Sequence, residues 1–182
     1  ELCEEVGLPK GVFNLVTGDG TTGSELVNHE GISKIAFTGS TSVGKYIQNA
    51  VGERDIGLTL ELGGKAANIV YNDAALDQAV EGVVNGIFFN QGHVCCAGSR
   101  LLLQEDIHDE FINKLEKRMQ TLRVGNPLDK NTDIGAINSK EQLDKITSLV
   151  NEGVNDGGEL FQIECELPSE GYWYRPSLFT NV

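Results

Sequence analysis

The chain has 182 residues, 40% hydrophobic and 23% charged, which excludes disordered and collagen-like classes and suffices for one sizeable core or two smaller ones. Lys and Arg number 14 against 27 Asp and Glu, a formal net charge of −13 with no long like-charge block. Such a surface repels phosphate backbones and anionic lipid, so neither a nucleic-acid partner nor a membrane surface is expected.

The chain opens inside a helix-like stretch, Glu1 to Val6, without an initiator Met, and stops at Val182 after a strand-like run; it reads as an excised piece of a longer protein. Val12 to Val16 is rich in strand formers, Thr17-Gly18-Asp19-Gly20 turns the chain, and a short helix is expected from Ser24 to Asn28. Lys34 to Thr38 reads as a second strand. A helix with Val43, Ile47, Ala50 and Val51 on one face follows, and then a strand in which Leu58, Leu60 and Leu62 alternate with Thr59 and Glu61. This β-α-β-α-β order predicts an α/β fold, a Rossmann-like open parallel sheet with helices on both faces.

A second α/β series follows Gly63-Gly64, the expected hinge. Its elements are a strand at Ala66 to Tyr71, a helix capped by Asp73 and carrying Leu76, Val80, Val83, Val84 and Ile87, and a strand at Leu101 to Leu103. Ile107, Phe111, Leu115, Met119 and Leu122 mark a long amphipathic helix. Ser139 and Gln142 form a capping-box pattern before another helix, which Gly153 is expected to end. Strand candidates at Leu160-Phe161 and Ser177 to Phe179 close the series. Residues 1–63 are read as the C-terminal part of one α/β domain and 64–182 as the N-terminal part of a second.

Several residues could carry chemistry. Gly18-Asp19-Gly20-Thr21-Thr22-Gly23 spells G-x-G-x-x-G between a strand-like run and a helix, as a dinucleotide turn would. The next strand has no acid at its tip for a ribose, so a plain strand-to-helix turn remains the alternative. Gly39 to Gly44 is a second glycine-flanked helix start, suited to an anion or to an ordinary Ser/Thr cap. Glu61, on the strand face opposite the leucines and just before two glycines, is either a solvated residue or a base beside a close backbone approach. Cys95 and Cys96 lie on a glycine-flanked loop at an element junction, where a nucleophile could be presented or small residues could pack. His93 more often has a structural role. The four cysteines form no spaced framework, which points to a reduced cytoplasmic setting (or a mitochondrial matrix), and no metal cluster with ligand spacing is found. No run of about 18 apolar residues and no cleavable signal occurs.

Three motifs converge: Phe37-Thr38-Gly39-Ser40-Thr41, Leu60-Glu61-Leu62-Gly63-Gly64-Lys65, and Phe89-Asn90-Gln91-Gly92 through Cys95 to Arg100. In this order and spacing, from Val12 to Val182, the chain resembles the aldehyde dehydrogenase superfamily. The resemblance implies that an aldehyde is oxidised to its acid with NAD or NADP, in a homo-oligomeric parent. Cys95 would be the nucleophile and Glu61 the general base, the two meeting at one crevice that admits the nicotinamide. Cofactor contacts would come from Gly20, Gly23, Phe37, Gly39, Ser40, Val43, Leu62 and Gly63, and from Gln142 on the ribose side. The resemblance also implies partners outside these residues: an Asn oxyanion donor, a Lys and a Glu at the cofactor riboses, and an oligomerisation arm. Two rivals stay open, a non-catalytic module of the same family and a thiol acyltransferase.

Overall fold

A computed structural model describes residues 1–182. The chain divides into two compact units, Glu1–Leu62 and Gly63–Val182. No helix is long and apolar enough to cross a membrane.

The first unit contains α1 (Leu2–Glu5), α2 (Gly20–Asn28), β1 (Lys34–Gly39), α3 (Thr41–Val51) and β2 (Gly57–Leu62). β1 and β2 pair in parallel from Lys34 opposite Gly57 to Gly39 opposite Leu62. The alternation read in β2 is present: Leu58, Leu60 and Leu62 are half-buried while Thr59 and Glu61 are exposed. The α3 face that carries Gly44, Ile47 and Val51 is buried, and Val27 of α2 joins Ile47 and Val51 in a small core. The α2 C-terminus and the turn after it are held by Arg54, whose guanidinium donates to the carbonyl of Val27 in the last turn of the helix, where carbonyls lack intrahelical partners, and to those of His29 (2.8 Å) and Ile32 (3.2 Å) beyond it.

Two expectations in this unit are corrected. Helix α2 begins at Gly20 rather than Ser24, because the Asp19 carboxylate accepts the Thr21 amide at 2.8 Å and starts the helix one turn early. Val12 to Val16 forms no strand. Val12, Phe13, Leu15 and Val16 stay 62–77% exposed, and strand formers without a neighbouring ladder have no partner for their backbone groups.

The second unit contains β3 (Ala67–Val70), α4 (Leu76–Phe88), β4 (Arg100–Leu103), α5 (His108–Met119), α6 (Lys140–Asn155), β5 (Glu159–Gln162) and β6 (Ser177–Thr180). β3 and β4 pair in parallel with α4 as their crossover, whereas β5 and β6 are antiparallel. Val80, Val83 and Val84 of α4 pack with Phe111, Leu115 and Met119 of α5; Phe111 and Met119 are wholly buried. Each fully buried side chain of this size contributes about 1.5–3 kcal/mol, so this helix pair is a main source of the unit's stability, together with Ile163 in the same core. Lys114–Asp77 and Arg118–Glu81, both 2.6 Å, fix the register of α4 against α5, although exposed pairs of this kind add little energy. The fold is α/β, with each parallel pair joined through a helix.

Two helix boundaries differ from expectation. Asp73 does not cap α4; the helix begins after Ala75 with no side-chain cap, and the preceding turn is closed by the Ala74 amide on the Tyr71 carbonyl. Gly153 does not end α6, which runs to Asn155 and turns at Gly157 (φ 98°). Gly153 instead lets β6 approach: a Cβ there would lie 2.9 Å from the Phe179 ring.

Candidate active site

In the first unit the site residues cluster at the C-terminal ends of β1 and β2. The register sets Phe37 opposite Leu60, Thr38 opposite Glu61 and Gly39 opposite Leu62. Glu61 is therefore one residue from the end of a regular strand, with its carboxylate exposed beside Thr38. Gly39 is bare because a Cβ would run into the Phe37 ring. Ser40 then caps α3: its Oγ accepts the Val43 amide at 3.3 Å and shares a hydrogen bond with Ser42 Oγ at 3.1 Å. The first turn of α3 contains no acid, so the positive end of the helix dipole is not neutralised there. Leu62 is committed to packing: a Cβ on Gly44 would come within 2.5 Å of its Cδ2, which seats α3 on the end of β2.

The α2 start is chemically different. The backbone and hydroxyl of Thr21 hydrogen-bond the Asp19 carboxylate and hold its pKa below the ordinary value. An anion approaching these amides meets a fixed negative charge. Gly20 and Gly23 face open space, since a Cβ on either would touch nothing. One further polar joint links α2 to α3, where Tyr46 Oη lies 2.6 Å from Ser24 Oγ and accepts Asn28 Nδ2 at 3.0 Å.

In the second unit Cys95 and Cys96 are both exposed free thiols on the loop between α4 and β4. The loop opens on three successive left-handed residues, Asn90 (φ 48°), Gln91 (φ 55°) and Gly92 (φ 74°). A non-glycine residue held there costs roughly 1–2 kcal/mol, least for Asn. Compensation is visible at both ends of the loop. Upstream, the Gln91 side chain donates to the Ala136 carbonyl at 2.8 Å, and Asn90 Nδ2 donates to the His93 carbonyl at 3.3 Å. Downstream, the Gly98 amide donates to the Gly86 carbonyl at 3.0 Å, Asn68 Nδ2 to the Gly98 carbonyl at 3.2 Å, and Arg100 Nε to the Lys65 carbonyl at 3.0 Å. Ala97 anchors the loop's floor at 8% exposure. Gly64 lies so close that a Cβ on it would sit 3.5 Å from the Cys95 carbonyl oxygen.

A cavity of about 310 Å³ adjoins the loop, lined among others by Gly64, Lys65, Gln91, Gly92, His93 and Gln142. Gln142 thus lines the same cavity as the loop residues Gln91, Gly92 and His93. Only half of its expected capping box forms: its amide is accepted by Ser139 Oγ at 3.1 Å, and the residue also lines the cavity. His93 Nε2 is buried without a partner. Tyr174, which also lines the cavity, has its phenol pushed up by burial. Sequence reasoning gave Gln91 no role beyond membership of the third motif and passed over Asn68; their partners lie 45 and 30 residues away. It also passed over Asp19 as a cap, although an Asp immediately before a helix was a usable signal.

The aldehyde dehydrogenase family profile matches residues 1–182. Human retinal dehydrogenase 2 is 45% identical over 186 aligned residues, which cover all of this chain and 35% of that protein. An NAD-dependent aldehyde dehydrogenase from Sinorhizobium meliloti matches with a TM-score of 0.94 at 37% identity, over 100% of this chain and 36% of the other. The NAD+ complex of an aldehyde dehydrogenase from Bacillus cereus matches with a TM-score of 0.94 at 38% identity, over 100% of this chain and 37% of the other. The chain spans about 35% of the length of the curated relatives it matches.

Proposed function

Because this chain belongs to the aldehyde dehydrogenase family, we propose that the complete polypeptide oxidises a small-molecule aldehyde to a carboxylic acid with NAD+ or NADP+. Cys95 is the nucleophile and Glu61 the general base. The observation that carries this reading is the exposed Cys95 thiol on a loop pinned at both ends, within the family's Gln-Gly motif.

The residues present fit a dinucleotide. The α3 start offers amides, the Ser40 and Ser42 hydroxyls and an unneutralised dipole, a donor set suited to a pyrophosphate. Gly39, Ser40 and Val43, with Phe37 beneath, are assigned to that part. The Asp19 carboxylate opposes a phosphate at the α2 start, so Gly20 and Gly23 are assigned to an uncharged part of the cofactor. Leu62 and Gly63 are assigned to the nicotinamide side and Gln142 to a ribose. When bound, the dinucleotide supplies the hydride acceptor that turns a thiohemiacetal into a thioester.

The protein's own groups do the rest. An ordinary thiol, with pKa about 8.5, is only a few per cent ionised near neutrality, so Cys95 needs a base. Glu61 takes the thiol proton, directly or through a water. The sulfur then bonds to the aldehyde carbon, and the carbonyl oxygen gains a negative charge, for which the Cys95 backbone amide is one donor. Covalent capture fixes the reacting carbon during oxidation. Glu61 gives the thiol proton up to solvent while the carbon is oxidised, and as a carboxylate again it takes a proton from water as that water's oxygen bonds to the acyl carbon. The carbon–sulfur bond breaks, the thiolate leaves and the acid is released.

The proposal extends to a homo-oligomer in the cytoplasm or mitochondrial matrix, which the family resemblance and four unpaired thiols support. The test incubates the complete polypeptide with NAD+ or NADP+ and a series of aldehydes. The expected result is reduced nicotinamide together with a transient acyl adduct on the Cys95 peptide. No dinucleotide binding and no turnover of any aldehyde would favour the non-catalytic module instead.

A further inference from the structure

The turn that launches the nucleophile loop contains one residue with no intrinsic reason to be there. Gly92 adopts a left-handed backbone freely and Asn90 tolerates it, but Gln91, at φ 55° and ψ 27°, does not favour it. Its half-buried side chain leaves the turn and donates to the Ala136 carbonyl at 2.8 Å. The acceptor is held firmly, because Ile134 and Ile137 on either side are buried at 4% and 6% exposure, and the Ile137 amide is bonded to the Tyr172 carbonyl at 2.7 Å. Gly135 makes room for the tether, since a Cβ there would sit 3.1 Å from Gln91 Nε2. Asn90 does not share this role: its side chain bonds within the turn, to the His93 carbonyl.

We propose that Gln91 is a positioning residue for the reaction, a tether that holds the left-handed turn and thereby sets where the Cys95 sulfur stands. The inference rests on the assignment of Cys95 as nucleophile and deepens it. Lever arithmetic supports a sizeable effect. Cys95 lies four residues beyond Gln91, at most about 13 Å of chain, so a backbone rotation of about 10° moves the sulfur by roughly 2 Å. Displacements near 1 Å can cost about 100-fold in rate.

The test uses the complete polypeptide with Gln91→Ala and the isosteric Gln91→Glu. Measured quantities are kcat, KM for aldehyde and dinucleotide, thermal unfolding, and the rate of iodoacetamide labelling of the Cys95 peptide from pH 5 to 8. Gln91→Ala should lower kcat by about tenfold or more, at least the rate equivalent of one hydrogen bond, with KM for the dinucleotide within twofold. Gln91→Glu should be equally impaired at pH 8, where its carboxylate faces a carbonyl oxygen. Its labelling rate relative to the parent should recover as pH falls and the protonated carboxyl donates in the amide's place. That transition should lie above the ordinary carboxyl value of about 4.3. Lys65, His93, Tyr174 and Arg175 line the same cavity in both proteins, so the ratio removes their titration. Parent-like kcat and labelling in both variants would overturn the proposal. So would a pH-independent loss that merely follows a lowered unfolding temperature. Should the parent itself turn over no aldehyde, that failure falls on the assigned reaction, and the labelling ratio still decides the tether.

Discussion

Glu61 and Cys95 stand on backbones of opposite kinds. Glu61 belongs to a regular parallel strand whose every residue has a paired neighbour on β1, and its exposure follows from alternation alone. Cys95 follows three left-handed residues and is held by hydrogen bonds to segments 30 and 45 residues away. A strand end gives a carboxylate a stable address at no conformational cost. A strained turn does more, lifting a small side chain clear of its neighbours, but only while other parts of the unit hold it there.

Substitutions at the two places can break or sharpen this contrast. The largest effect is expected from Cys95→Ser in the complete polypeptide, a loss on the order of 10³-fold or more in aldehyde turnover. Turnover retained in that variant would remove Cys95 as nucleophile, and Cys96 is the neighbour to examine next. Glu61→Gln should slow steady-state turnover by about 10²- to 10⁴-fold and let the acyl adduct accumulate on Cys95. Fast release of that adduct would count against Glu61 as base.

Backbone substitutions follow in size. Gly92→Ala puts a Cβ at φ 74° and 3.1 Å from the Ile87 carbonyl oxygen. It should destabilise the second unit by about 1–2 kcal/mol in denaturant titration and slow Cys95 labelling. Thr59→Ala, exposed on β2, should cost less than about 1 kcal/mol and leave activity alone. Equal costs at both positions would erase the distinction between strand and turn. The smallest effect concerns Asp19. Hydrogen bonds from the Thr21 amide and hydroxyl depress its carboxyl, so its contribution is fully present above the ordinary 3.8 and is lost as pH falls through the lower folded value. An NMR titration of the Asp19 carboxyl should inflect below 3.8, and an inflection at or above it would dismiss the cap.

What could be read from the sequence divides along the same line. Period-two alternation gave β2 and the exposed face of Glu61, and period-3.6 spacing gave α3, α4 and α5, because these patterns are local. Val12 to Val16 misled, since strand formers make a strand only where another strand accepts their hydrogen bonds. Gly153 misled as well, because a glycine in a helix can serve a ring packed against it as readily as it can end the helix. Cys95 stood out only through the surrounding motif. The handedness of Asn90 and Gln91 left no trace in composition or spacing, because it is imposed by Ala136 and the packing around it.

The Arg54 clamp on α2 has an evolutionary corollary. All three of its acceptors are main-chain oxygens, so side chains at 27, 29 and 32 can drift without loosening the grip. A change at 54 removes all three bonds at once, leaving the His29 oxygen only its bond from the Ile32 amide. Tolerance is therefore lopsided, broad at the positions being held and narrow at the one that holds them, and a mutational scan of this corner should record one sensitive guanidinium among permissive neighbours.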